Sequence, residues 1–149
     1  MKRDANHLRT EEILRAVSYF SQLDDPELIL VAQTAICHGY DAGQIILLEG
    51  EPCVGLYIVE SGWLKAIKIG LDGREQVLQT LSPGDVFNAI SVFTDAPNQA
   101  TVTALETSRV WIVRREVLLK MLTVFGGSWW RKGLFSSSAA RFTFWIQMD

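Results

Sequence analysis

Between His38 and Val113 glycine cuts the chain into short apolar runs, and this punctuation restricts the fold more than any other feature. The runs are QIILLEG, GLYIVES, WLKAIKI, EQVLQTL, ATVTAL and SRVWIV, with Gly43, Gly50, Gly55, Gly62, Gly70, Gly73 and Gly84 at or between them. Short runs rich in β-branched and aromatic residues, closely spaced and bounded by turn residues, predict a β-sandwich or double-sheet roll. In WLKAIKI, apolar and polar residues alternate around Lys65 and Lys68, as on a half-buried strand, and the two lysines read as an ordinary solvated strand edge. LDGRE at 71–75 carries the Asp-Gly signal of a tight hairpin.

Helical periodicity flanks this region. From Thr10, a candidate N-cap followed by Glu11 and Glu12, apolar residues fall at Ile13, Ala16, Val17 and Phe20, one face of a helix. DDPEL predicts a second helix, capped by Asp25 with Pro26 in the first helical position, running to about Ile36. RREVLLKMLTVF returns to the helical period through Val117, Leu118, Met121, Leu122 and Phe125, and Gly126 and Gly127 end it. In the tail, Phe135, Ala139, Phe142 and Ile146 share one helical face, while Trp129, Trp130, Phe144 and Trp145 leave much of the circumference apolar. Such a surface either folds back on the roll or is covered by a partner chain, and a homodimer is the expectation. The organisation expected is a mainly β roll of jelly-roll type with N-terminal helices over 1–125, then a C-terminal dimerisation helix region over 126–149.

At 149 residues, 48% hydrophobic and 21% charged, the chain is long and apolar enough for one globular domain and is not of disordered composition. A formal charge of −3 leaves no clustered basic excess for a phosphate backbone. The longest apolar runs, such as IILL at 45–48, are far too short for a membrane span, and MKRDANHLRT is too polar for a secretory signal. Cys37 and Cys53 form neither a disulfide framework nor a CxxC pair. A soluble cytoplasmic protein is expected.

The order of these elements resembles the effector domain of Crp/Fnr-type transcription regulators, the cyclic-nucleotide-binding fold. The residues that carry the resemblance are AGQIILLEGE at 42–51, LYIVESGWLKAIK at 56–68, DGREQVLQTLSPGDVF at 72–87 and DAPNQATVTALETSRVWIV at 95–113. It covers roughly residues 15–125, with SSSAARF standing where the family has its dimerisation helix. The resemblance implies a non-catalytic sensory domain binding a small-molecule effector; some members of the family carry haem, but this sequence has too few candidate ligands, and no cofactor is expected. In the family a helix-turn-helix domain reads DNA; here the sequence stops at Asp149, about where the hinge would begin, so DNA contact would need a domain outside this sequence.

The resemblance also implies where the effector would sit, in the turn Gly84–Val102. In cyclic-nucleotide-binding members this turn reads approximately Gly-Glu-(Leu/Ile)-Ala, then five residues, then Pro-Arg-(Ser/Thr)-Ala. The Glu accepts from the ribose hydroxyl and the Arg pairs with the cyclic phosphate. Here Asn88 stands at the Gly, Ala89 at the Glu, Ile90 at the Leu/Ile, and Ser91 follows; Asn98 stands at the Arg and Gln99 at the Ser/Thr, followed by Ala100 and Thr101. Gly84, Phe87, Ile90, Pro97 and Ala100 keep the scaffold pattern, whereas the contact positions depart from it. A charge-assisted hydrogen bond is worth about 1.5–3 kcal/mol, so its loss weakens a cyclic nucleotide by about ten- to a hundredfold or more. What remains for a ligand is the start of a short helix, the Asn98 and Gln99 amides and a hydroxyl. Asn88 suits a position where the family has Gly, because Asn tolerates positive φ. Three readings stay open: an effector other than a typical cyclic nucleotide, cAMP or cGMP held by altered contacts, and a turn that only caps its own backbone. A stand-alone dimerisation or interaction module is the alternative of another class.

Other chemistries find little support. Cys37 and His38 are adjacent, so on a strand they face opposite ways, and only His7 and Cys53 could join them around an ion. A metal-dependent enzyme on a cupin-type roll needs two or three inward histidines, and the roll region has one. The serines at 136–138 lie in the tail, with no triad spacing to His38. Trp63 and Trp111 read as core or sheet-face aromatics.

Overall fold

The computed structural model describes residues 12 and 14 and residues 25–125. Along these residues run α1 (Asp25–Thr34), β1 (Ile36–Tyr40), β2 (Ile45–Leu47), β3 (Gly55–Ser61), β4 (Leu64–Ile69), β5 (Glu75–Leu81), β6 (Val86–Phe87), α2 (Ala89–Thr94), β7 (Thr101–Ala104), β8 (Ser108–Arg114) and α3 (Arg115–Phe125). The strands form two four-stranded antiparallel sheets, ordered β1-β8-β3-β6 and β2-β7-β4-β5. This is the expected double-sheet roll.

Burial explains why some strands read as unbroken apolar runs. The interior between the sheets holds Leu47, Tyr57, Val59, Leu64, Ala66, Leu81, Phe87, Val102, Ala104 and Val110. A second cluster lies on the opposite face of the first sheet, where Leu56, Ile58, Trp111 and Val113 meet Leu28 and Val31 of α1, and Leu118 and Met121 of α3. The first sheet is therefore covered on both faces. GLYIV carries no polar alternation because alternate residues enter two different cores. Glu12 and Leu14 are helical, and Leu14 is fully buried in the second cluster. The face named for that helix (Ile13, Ala16, Val17 and Phe20) lies outside the described residues.

The structure corrects several expectations. Helix α1 spans Asp25–Thr34 and so stops short of Ile36. Thr34 Oγ1 and the Ala35 N–H both donate to the Val31 carbonyl at 3.0 Å, closing the helix end. Ile36 then opens β1, which pairs with β8 from Ile36↔Ile112 to Tyr40↔Ser108. ICHGY has no strand periodicity of its own; the open edge of β8 makes it a strand. Strand β6, two residues long, is too short for periodicity, and pairing with β3 places Phe87 on Tyr57 with ring centroids 5.0 Å apart.

Lys65 and Lys68 do not lie on a strand edge, because β4 runs between β7 and β5. Lys65 is ion-paired with Glu75 at 2.9 Å, and Lys68 approaches Glu49 at 4.0 Å. The buried pair Ala66–Ile67 interrupts the alternation where the β5 register shifts from Gln79 to Val77. Trp111 is core, whereas Trp63 is 49% exposed. Leu118 and Met121 are buried as the period predicts; the side chains of Leu122 and Phe125, and all tail residues including Trp129, Trp130, Phe135, Ala139, Phe142, Trp145 and Ile146, lie outside the described residues.

Two turns yield a direct test. Gly62 and Gly73 both have positive φ, 89° and 80°. A Cβ on Gly62 would strike Ser108 Oγ and lie 2.7 Å from the Thr107 carbonyl, whereas one on Gly73 would meet nothing within 4 Å. Gly73→Ala should cost about 1–2 kcal/mol from backbone conformation. Gly62→Ala adds overpacking, a further 1–3 kcal/mol or so. Urea unfolding of the two variants checks this, with Gly62→Ala the lower midpoint. A second test uses Tyr57, whose phenol burial pushes up to about 12. A phenol that holds its proton longer when folded stabilises the fold below its unfolded pKa, and that contribution falls away as pH rises from about 10 to about 12. Alkaline unfolding of Tyr57→Phe should show a shallower fall over that window.

Candidate ligand-binding cassette

The segment from Asn88 to Thr101 joins the two sheets, leaving β6 of the first and entering β7 of the second. Helix α2 is bounded by two left-handed residues, Asn88 at φ 72° and Asp95 at φ 59°. Asn88 thus occupies the backbone region that its match to a family glycine predicts, a region few residues other than Gly, Asn and Asp adopt. The left-handed start turns the chain sharply out of β6, and Asp95 turns it back toward Pro97.

The polar side chains of this segment bond within the domain. Asn88 Nδ2 donates to the Gly55 carbonyl at 3.0 Å and to Asn98 Oδ1 at 3.1 Å, with Cys53 Sγ at 3.5 Å. Asn98 Nδ2 donates to the Leu48 carbonyl at 3.1 Å. The Asn98 backbone exchanges bonds with the β2–β3 loop, its N–H donating to Glu51 and its carbonyl accepting from Gly50. Ser91 Oγ and Gln99 Nε2 both donate to the Pro97 carbonyl, at 2.9 and 2.8 Å. Thr101 Oγ1 accepts the Glu49 N–H at 3.1 Å.

The residues expected to meet a ligand are therefore brought together, and most are buried. Asn88, Ala89, Ser91, Asn98, Ala100 and Thr101 are each at most 4% exposed. Ile90 and Gln99 are half-buried. Asn98, at the family's arginine position, bonds to its ten-residue neighbour Asn88 and to Leu48 rather than reaching into solvent.

Two charged features escaped the sequence reading. Arg115, the first residue of α3, donates from Nε to the Val92 carbonyl at 2.9 Å and pairs with Asp95 at 3.3 Å, clamping α2 to the closing helix. Its signal was present in RRE, but only the fold places it against α2. The other is the Lys68–Glu49 approach beside β7. Next to the cassette, Gly50, Pro52, Cys53, Asp95, Ala96 and Pro97 line a cleft of about 280 Å³. Burial pushes the Cys53 thiol up, with the Arg115 charge opposing it.

Cys37 and His38 do face opposite ways on β1. Cys37 contacts Glu60 at 3.5 Å and accepts from Arg109 at 3.3 Å, while His38 is exposed beside Tyr40. Burial is the larger influence on the Cys37 thiol and raises its pKa, with the Arg109 charge opposing it. Among the described residues no three His, Cys, Asp or Glu side chains gather where they could hold a metal ion, and no helix is long and apolar enough to cross a membrane.

Comparison with known proteins places this geometry. Residues 38–124 match the family model described as the cyclic nucleotide-binding domain. A cAMP-dependent protein kinase regulatory subunit of Debaryomyces hansenii is 36% identical over 100 residues, 67% of this chain and 21% of that protein. A CRP-like cAMP-activated global transcriptional regulator of Mycobacterium tuberculosis is 28% identical over 108 residues, 72% of this chain and 48% of that protein. The chain thus spans less than half the length of either relative. The sensor domain of the transcriptional regulator DNR from Pseudomonas aeruginosa superposes with a TM-score of 0.74 at 22% identity, covering 79% of each chain, and so shares the fold. With its two sheets and the family match in agreement, the chain belongs to the cyclic nucleotide-binding domain family, with Crp/Fnr-type regulators among its relatives.

Proposed function

We propose that the chain is the sensory and dimerisation part of a Crp/Fnr-family transcription regulator, non-catalytic and cytoplasmic, whose cassette does not hold a cyclic nucleotide in the family's usual way. The observation that carries this reading is the neutral amide link Asn88–Asn98. Where the family has an arginine for the cyclic phosphate, Asn98 bonds to Asn88 and Leu48; where it has the ribose-binding glutamate, Ala89 offers no acceptor. The pair supports a cassette that keeps its shape by satisfying itself. DNA would be read by a domain outside this sequence, and the tail residues Trp129, Trp130, Phe135, Ala139, Phe142, Trp145 and Ile146 would form the contact between protomers.

A second reading has a specific observation in its favour: the two relatives above are a cAMP-dependent protein kinase regulatory subunit and a cAMP-activated transcriptional regulator. In that reading Gln99, the α2 backbone and a rearranged Asn98 would hold cAMP or cGMP. Isothermal titration of the purified chain with cAMP and cGMP separates the two. We expect no saturable heat at micromolar nucleotide; a micromolar Kd would overturn the main reading in favour of the second. Light scattering tests the dimer, with an expected mass twice the 16.7 kDa of one chain. A single-chain mass at tens of micromolar would remove the dimerisation role.

A further inference from the structure

The cleft beside the cassette lies between two chain segments. Gly50, Pro52 and Cys53 of the β2–β3 loop form one wall, and Asp95, Ala96 and Pro97, between α2 and β7, form the other around about 280 Å³. Two backbone bonds tie the walls together. The Gly50 N–H donates to the Asn98 carbonyl at 2.8 Å, and the Asn98 N–H donates to the Glu51 carbonyl at 2.9 Å. A Cβ on Gly50, at φ 87°, would meet nothing within 4 Å, so that stretch of wall is bare backbone beside open space. None of the six lining residues stands at the positions that match the family's ribose-binding glutamate and phosphate-binding arginine, Ala89 and Asn98.

Most of the lining is uncharged. Pro52, Ala96 and Pro97 present carbon, and neither proline has an N–H to donate. Burial raises the Cys53 pKa and so holds the thiol in its neutral form, which adds a soft, weakly polar surface. The one ionised lining group is the Asp95 carboxylate, 84% exposed. Its Oδ1 pairs with Arg115 Nη2 at 3.3 Å, which balances its charge, while Oδ2 has no hydrogen-bond or ion-pair partner among the described residues. A carboxylate has about four acceptor sites, so Asp95 keeps acceptor capacity at the cleft.

We propose that this cleft is a ligand site for a neutral aromatic molecule of indole or phenol size that carries one N–H or O–H donor. The ring would lie against Pro52, Ala96, Pro97 and Cys53, and its donor would bond to Asp95. Three physical points carry the inference. Carbon walls and a neutral thiol favour the burial of an apolar ring. Asp95 selects a donor and repels an anion, and because Arg115 already balances its charge, an added cation gains little. The volume lies just below the range of about 300–1,000 Å³ that holds drug-sized ligands, which suits one ring or a fused pair. An occupant would sit beside two ties of the cassette, Asn88 Nδ2 at 3.5 Å from Cys53 Sγ and the Arg115 clamp on α2. The inference goes beyond the sensory reading and holds whether or not the cassette takes a cyclic nucleotide.

The chain's two cysteines supply the test, since Cys53 lines the cleft and Cys37 lies on β1. Alkylation of each in the full chain is followed by mass spectrometry, and titration calorimetry gives affinities. The probes are indole and phenol. Their counterparts 1-methylindole and anisole lack the donor, benzoate is an anion and tryptamine adds a cation. We expect indole or phenol at millimolar concentration to slow alkylation of Cys53 and leave that of Cys37 unchanged. The donor-less counterparts should bind about tenfold more weakly, and benzoate should give no protection. Asp95→Gly keeps the left-handed backbone accessible while removing the carboxylate, and should weaken the ligand about tenfold. Ala96→Leu fills the cleft and should abolish the protection of Cys53. Urea unfolding of the unliganded variants shows that each is folded, and the donor-less probes test the parent chain without any substitution. The inference is overturned if neither indole nor phenol protects Cys53, or if Cys37 is protected equally. It is overturned as well if 1-methylindole and anisole match the probes, if tryptamine binds about tenfold more tightly than indole, or if folded Asp95→Gly binds as the parent does.

Discussion

The burial of the first sheet on both faces is the constraint from which the architecture follows. β3 and β8 must feed two cores at once, so alternate residues go to the roll interior and to the helices. The second sheet turns one face to the roll interior, and its strands β4 and β5 also carry lysines and glutamines. The helices exist in this context as a cover: α1 and α3 meet over the first sheet through Leu28, Val31, Leu118 and Met121. A cassette suspended between such sheets inherits a fixed starting point at Phe87 and a fixed end at Thr101.

Within that frame the cassette has exchanged charge for internal bonding. An arginine directed at a phosphate is useful only when the phosphate is present; unliganded, it must be solvated or paired elsewhere. Amides at positions 88 and 98 bond to each other and to the carbonyls of Gly55 and Leu48, so the turn keeps its form without a ligand. Arg115 adds a tie from the opposite side, through Val92 and Asp95. These contacts join the cassette to the β2–β3 loop and to the closing helix, the two elements against which any effector-driven change would have to work.

The sequence revealed the parts whose physics is local. Gly62, Gly73 and Gly84 have the positive φ of turn glycines, Asn88 adopts the left-handed conformation of the glycine it replaces, and six strands lie on the six apolar runs. What stayed hidden depends on pairing at a distance. ICHGY becomes β1 only because β8 has an open edge, and the two residues of β6 are too few to show a period. Lys68 reads the same whether a strand is central or peripheral, so its place on a central strand emerges only from the order β7-β4-β5. Arg115 is distant in sequence from Val92 and Asp95, and nothing in its neighbourhood announces the clamp. Leu14 shows the same limit on a helix: periodicity from Thr10 pointed to its neighbours, yet Leu14 is fully buried in the core.

The two left-handed residues that bound α2 have a consequence for how the domain responds to its surroundings. The conformation of the turn is set by backbone geometry and by bonds between uncharged amides, neither of which is screened by dissolved ions. Ionic strength acts instead on the contacts around it, Arg115–Asp95 at its outer end and Lys68–Glu49 beneath its exit. A change of salt should therefore alter how the cassette is held against its neighbours while leaving its own shape in place.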